Sequence, residues 1–410
     1  MTGEARPPSL GAMAFDMLAN FRDDLPAAPG AWVEPPDFAF VGGHNDPESI
    51  PFAGLAEAAV TVLRREGRNL ATYNLGGSPQ GYLPLREFVM SGLGARAGIA
   101  GSPDQVLIVS GSLQALDLVN EAMLSPGDTV LIEMATYGGM VSRLERRGVS
   151  YVGMELDDDG IVPESLRSTL TELASQGITP KYLYTIPTVQ NPTGSVMPLE
   201  RRHDILAIAR EFGVPIFDDE CYADLTWGCE RPPSFRALDG DGGQVIYCGS
   251  FSKSIAPALR VGYIIADEPI IRQLLALKTD AGTGALEQLT LAEYAPTHFD
   301  DHVDQLMVAL QAKCDAMVSA VKEHFGDAVH VTEPLGGIYC WLTFPEGTDT
   351  QSFAAAAAAE GIEFNPGAGW SADPDWGKRR LRLCFGQAAP DTIRAGVAKL
   401  AEVCRAAGAI

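Results

Sequence analysis

No two of the seven cysteines are spaced as a CxxC pair, and an odd count does not describe a disulfide framework. Reduced thiols in a cytoplasmic setting are the expectation. Basic residues are scarce as well, 30 Lys and Arg against 53 Asp and Glu, for a formal net charge of −23. Nucleic acid and anionic membrane surfaces both need basic patches, so neither is expected as a partner; solubility accounts for the acidity. The opening MTGEARPPSLGAMAFDML has no basic segment followed by an apolar stretch. No apolar run is long enough to span a bilayer. No histidine accompanies the acidic run at 218–220, so no metal site is expected there.

What is present is a 410-residue chain, 46% hydrophobic, long enough for a large core and for two or three domains. Residues 1 to about 50 are irregular and rich in Pro and Gly, with Trp32 and the stretch GGHNDPESIPF from Gly42. A helix is expected from Leu55 to about Arg65, then a loop from Tyr73 to Gly81. From about residue 104 short apolar runs recur: QVLIV, TVLIE, YVGMEL, KYLYTI, VPIFD, QVIYC and RVGYIIA. Helical patterns separate most of them, which predicts an α/β layer built on a mostly parallel, seven-stranded sheet. The last two runs are joined by too little chain for a helical crossover, so one should lie antiparallel. Beyond about 296 a long helix, two strands and a closing helix predict a smaller α+β domain. The expected division is 1–54 packing with the small domain, 55–296 as the large domain, and 297–410 as the small one.

In open α/β sheets ligands bind outside the carboxyl ends of the strands, so the residues following each run carry the chemistry. Ser110-Gly111-Ser112-Leu113 opens a helix and suits either a phosphate cradle or a plain serine cap. Tyr137 follows TVLIE, where it could stack on a planar ligand or cover the core. Asn191 precedes a proline and is held extended; NPTG is also an ordinary turn signal. Asp219 and Tyr222 follow VPIFD. Ser250, Ser252 and Lys253 follow QVIYC, with Arg260 beyond them. Alone, Lys253 reads as a surface lysine in a serine-rich loop. Leaving a buried strand beside positive charge, it can instead lose its proton and act as an amine nucleophile. A phosphorylated, aldehyde-bearing pyridine uses all of these groups together, and that describes pyridoxal 5′-phosphate (PLP).

These motifs, SFSKSIAPALRVGY, QNPTG, DDECY and LRLCF, resemble those of fold-type I PLP enzymes of the class I/II aminotransferase family. The texture is similar to the kynurenine/2-aminoadipate aminotransferase branch, and the likeness runs from Gly42 to the C-terminus. The resemblance implies that Lys253 is the Schiff-base residue. It places Ser112, Leu113, Ser250, Ser252 and Arg260 on the cofactor phosphate, and Asn191 and Tyr222 on its 3-oxygen. Asp219 would lie under the pyridine nitrogen and Tyr137 against the ring. Tyr73 would reach the phosphate of a neighbouring subunit, which implies a homodimer, and Arg382 would take the substrate α-carboxylate. Gly43 and His44 would border the substrate, an amino acid or 2-oxo acid. Ala135, Glu220-Cys221, His44-Asn45 and the stretch from Leu277 to Tyr294 depart from the family wording. Transamination is the expected reaction. A PLP enzyme catalysing elimination, replacement, cyclisation or oxidation would keep the same residues. A regulatory module would need a DNA-binding segment, and none fits before residue 50.

Overall fold

The structure, a computed structural model, describes residues 16–22, 25, 26, 28, 30 and 33–410; Trp32 lies outside the described residues. The chain divides into two compact units at Pro35. Of the first, the described part contains one exposed 3-10 turn, Leu18–Asn20. Everything below concerns the second.

All seven predicted runs form strands of one sheet, in the spatial order Val106–Val109, Gly262–Ile265, Val245–Ser250, Ile216–Asp219, Leu183–Thr185, Thr129–Glu133, Ser150–Met154. The strands beginning at 183, 216, 245 and 262 lie inside the sheet and are buried along their whole length, as expected for near-continuous apolar runs covered by helices on both faces. The strand Gly262–Ile265 alone runs antiparallel to its neighbours, pairing Gly262 with Val109 on one side and Ser250 on the other. Its reversed direction matters for the site. The start of this strand lies at the edge where the other strands end, so Arg260 arrives beside Ser110 and Ser250. Helices such as Leu199–Phe212 return the chain between strands, and this one stops at Gly213 with φ +68, the left-handed cap that glycine adopts freely.

A second, antiparallel sheet has the order His330–Thr332, Tyr339–Thr343, Arg380–Cys384, Asn365–Pro366. Two of these strands, at 330 and 365, are too short to show in the sequence pattern. A further short pair joins Phe38–Ala39 to Ile362–Glu363 in parallel, and Phe40 is buried in the core under the second sheet. The helix expected to begin after 296 begins at Ala285 and continues to Phe325, 41 residues with Pro296 inside it. An interior proline costs a helix about 3 kcal/mol. Buried Tyr294, Ala295 and Phe299 bracket this one, so packing holds the helix through position 296. Among the described residues no helix is long and apolar enough to cross a membrane.

Candidate active site

The carboxyl edge of the large sheet opens onto a cavity of about 510 Å³. Ser112, Leu113, Tyr137, Asn191, Asp219, Tyr222, Ser250, Ser252, Lys253, Arg260 and Arg382 all line it, as does Gly43. Each arrives by a local device. Gly111, at φ +80, turns the chain from strand into the helix Ser112–Met123, whose first-turn N–H groups have no partner within the helix. A Cβ on Gly262 would stand 2.9 Å from Ser112 N and 3.0 Å from the Gly249 carbonyl oxygen, so this corner closes only around glycine. Arg260, itself left-handed at φ +54, donates from Nη2 to the Ser110 carbonyl at 3.2 Å and from Nη1 to the Pro257 carbonyl at 3.0 Å. Ser250 Oγ accepts from Ser252 N at 3.1 Å.

The turn that presents Asn191 is closed by a bridge between Thr188 and Val196. Val189, β-branched and buried, sits at φ +56, a conformation costing about 1–2 kcal/mol for such a residue. Bare Gly336 and Gly337 pack against its methyl groups, at 2.5 Å from where their Cβ atoms would be. Arg202, fully buried, secures the same turn from below. It donates to Thr188 Oγ1 at 2.6 Å, to the Pro187 and Met197 carbonyls, and to Glu220 Oε1 at 3.1 Å. Glu220, one of the unexpected residues of DDECY, is therefore the ion partner that ties the Asn191 turn to the segment after Asp219.

Besides Arg260, three charged groups face the cavity. Lys253 Nζ donates to the Gly43 carbonyl at 2.6 Å, and burial, with Arg382 and Arg260 nearby, holds its pKa below the usual lysine value. Asp219 accepts from Tyr184 Oη at 2.7 Å and from Cys221 N at 3.4 Å; burial pushes its carboxyl up against those bonds. Arg382 is 1% exposed. Its guanidinium lies between the rings of Trp370 at 3.4 Å and Tyr339 at 3.9 Å. Its hydrogen-bond partners are all neutral: Asn191 Oδ1, Asn365 Oδ1 and the Gly42 carbonyl. Its Nε is buried without a partner. Tyr222 Oη lies 3.0 Å from Tyr339 Oη, and burial pushes both phenols up, Tyr339 to about 12. Both stay protonated donors at neutral pH.

A family model for aminotransferase class I and II matches residues 48–400. The chain belongs to this family. It is 33% identical over 367 residues to aromatic-amino-acid aminotransferase 1 of Thermococcus litoralis, covering 89% of this chain and 87% of that one. It is 32% identical over 366 residues to 2-aminoadipate transaminase of Thermus thermophilus, covering 88% of each. The solved α-aminoadipate aminotransferase of Thermus thermophilus, complexed with N-(5′-phosphopyridoxyl)-L-leucine, superposes with a TM-score of 0.83 at 31% identity, over 90% of this chain and 92% of that one. The aminotransferase has the fold-type I architecture expected, and its cofactor is PLP. The residues present fit that group. A buried carboxylate in need of a cation, a lysine amine of lowered pKa, and a glycine-closed helix start beside an arginine are arranged around one cavity.

Two expected residues are not on this lining: Tyr73, expected at a neighbouring subunit's site, and His44. Tyr73 is 82% exposed and outside the cavity, in a turn where Asn74 and Leu75 are both left-handed. His44 is exposed and off the lining, its imidazole folded over Gly42. The neighbouring Asn45 instead donates to the Ser252 and Lys253 carbonyls at 3.3 Å each. The residues that sequence reasoning missed are Tyr184, Tyr339, Asn365 and Trp370. Of these only Tyr184 left a signal, since alternation in KYLYTI puts it on one face with Tyr182. Cys221 and Cys248 lie close to Asp219. Hydrogen bonding between the two thiols and burial push Cys221 up; at Cys248 the bond to Cys221 pulls down, and burial together with the charges of Asp219 and Asp218 carries the thiol up.

Glu133 supports the site from within the sheet. It accepts from Thr185 Oγ1 at 2.7 Å, from Ile186 N at 3.2 Å and from Gln190 Nε2 at 2.9 Å. Burial pushes its carboxyl from 4.5 up to about 7. A raised carboxyl pKa means that the fold holds the proton more tightly than the unfolded chain. Its contribution is therefore fully present below the unfolded value, declines as pH rises from about 4.5 to about 7, and is flat above that. Glu133→Gln should remove this decline, changing the difference in urea stability between pH 5 and pH 8 by about 1–3 kcal/mol. Parallel pH profiles for variant and wild type would refute it.

Proposed function

We propose that this aminotransferase moves the amino group of an L-α-amino acid to a 2-oxo acid, with Lys253 as covalent anchor and base. The observation that carries this reading is the convergence of Lys253, Asp219 and Arg382 on one cavity. When bound, PLP supplies the aldehyde that lysine engages and a ring that accepts electron density as the substrate Cα–H bond breaks. Lys253, neutral more readily than an exposed lysine, takes that proton and later returns it. Asp219 stays ionised against a ring-nitrogen proton that offsets its burial, keeping that proton in place. Arg382 holds the α-carboxylate, and its Nη1 also fixes Asn191 by the amide oxygen at 3.0 Å. The Asn191 NH₂ is thereby left free to donate, and it and the neutral Tyr222 phenol would hold the cofactor 3-oxygen. Ser112, Leu113, Ser250, Ser252 and Arg260 hold the phosphate, and Tyr137 covers the ring. Gly43 places its carbonyl on the resting lysine amine and borders the substrate.

Mixing holoenzyme with a panel of amino acids should convert its absorbance to that of the pyridoxamine form, and 2-oxo acids should reverse it. Ammonia released without the pyridoxamine form would overturn transamination in favour of elimination. We place the enzyme in the cytoplasm, a reading supported by its seven unpaired cysteines, and as a homodimer in which Tyr73 completes the partner's phosphate site. An exposed tyrosine on a turn of left-handed residues supports that role. Tyr73→Ala should lower PLP affinity about tenfold, as loss of one hydrogen bond to a charged group does. Mixing Tyr73→Ala with Lys253→Ala subunits should restore about a quarter of the wild-type sites, by random pairing of two-fold dimers. No recovery on mixing would exclude a shared site.

A further inference from the structure

Arg382 has five N–H groups in a fixed fork, and their partners can be counted. Nη1 donates to Asn191 Oδ1 at 3.0 Å. Nη2 donates to the Gly42 carbonyl at 3.0 Å and to Asn365 Oδ1 at 2.7 Å, which uses both of its hydrogens. Nε is buried and unpartnered. A two-pronged carboxylate can approach a guanidinium along the edge shared by Nη1 and Nη2 or the edge shared by Nε and Nη2. Both edges require an Nη2 hydrogen. The substrate therefore cannot be gripped by two bonds until one present partner of Nη2 leaves.

Of those two partners, Gly42 offers a backbone carbonyl, while Asn365 offers a side chain that rotates. Asn365 is directly opposite Arg382 in the antiparallel pair of short strands, so the two side chains rise from the same face. It is half-buried and lines the cavity. Its amide orientation is fixed by chemistry, because a guanidinium has nothing to offer the NH₂ end. We propose that Asn365 is a placeholder for the substrate α-carboxylate: its amide oxygen keeps Arg382 satisfied in the substrate-free enzyme and yields Nη2 when an amino acid or oxo acid arrives. This rests on the reading of Arg382 as the α-carboxylate site. It makes Asn365 a positioning residue that sets how tightly both substrates of the exchange are held, because each must displace the same amide.

The test is equilibrium binding of 4-methylpentanoate, a carboxylate without an amino group, to holoenzyme by calorimetry, alongside KM and kcat for the amino-acid half-reaction. Without the competing amide oxygen, Asn365→Ala and Asn365→Val should each bind the carboxylate about 3- to 10-fold more tightly, because less of the enzyme is held in the occupied arrangement. KM should fall in step with kcat little changed. Asn365→Asp puts an ion partner on Nη2 and should weaken binding about 100-fold. Unchanged or weaker carboxylate binding by both the alanine and valine variants overturns the placeholder. Failure of wild-type holoenzyme to bind 4-methylpentanoate in competition with amino acids overturns the reading of Arg382 beneath it.

Discussion

Lys253→Ala should reduce amino transfer by about four orders of magnitude, the upper range for loss of a positioned base, while leaving PLP bound. The phosphate and ring contacts proposed for Ser112, Ser250, Arg260 and Asp219 do not involve the lysine amine, so the cofactor should be retained without a covalent link. Borohydride treatment followed by peptide mass analysis should mark Lys253 in the wild type and nothing in the variant. The unloaded protein carries a second signature. Burial lowers the lysine pKa below 10.5 in the fold, so the unfolded chain binds this proton more tightly, and wild-type stability rises with pH across the window between the lowered value and 10.5. Lys253→Ala lacks this slope. A fully active Lys253→Ala would refute the assignment of the site as a whole.

Asp219→Asn is the second large effect, expected to slow transfer about a thousandfold. The asparagine has the same shape and keeps a partner for Tyr184 Oη, which donates to Oδ2 at 2.7 Å. It lacks the negative charge that holds a proton on the ring nitrogen, so the cofactor loses its pull on the Cα–H electrons. Stability should move the other way. Burial raises the Asp219 pKa above its usual 3.8, so the ionised carboxylate costs the empty protein stability at every pH above that range. Asp219→Asn should therefore unfold at an equal or higher temperature than wild type without PLP, and gain less on adding it. If the variant gained as much from PLP as the wild type does, Asp219 would not be the partner of the ring.

The strand-end residues were legible because each follows its own apolar run within a few positions, so local pattern and the edge rule suffice. That one of the last two strands lies antiparallel followed from the short connection between them, and the pairing shows it to be Gly262–Ile265. What surrounds Arg382 was not legible. Its sandwich between Trp370 and Tyr339 depends on the register of three separate segments, with Tyr339 opposite Cys384 and Trp341 opposite Arg382. Nothing in the spacing of those residues announces it. His44 drew the eye as an odd residue in a glycine loop, whereas the groups that reach the site are the backbone of Gly42 and Gly43 and the amide of Asn45. A backbone carbonyl has no sequence signature. The long helix, expected after about 296, begins at Ala285, and only the packing of Tyr294, Ala295 and Phe299 around Pro296 shows that it continues through the proline.

The short strand Phe38–Ala39 has a further consequence for how this chain acquires its chemistry. The loop that follows it caps Lys253 through Gly43, Arg382 through Gly42, and buried Lys313 through Asp46 at 2.6 Å. That loop is held by pairing with Ile362, one of the last segments to be synthesised. The large sheet can form while translation is under way; the catalytic lysine cannot receive its cap until almost the whole chain has left the ribosome. Closure of this long-range pairing is thus a late step in completing the site, and pairings of this kind are the slow ones in folding. Cofactor binding during refolding should lag behind the appearance of the central sheet.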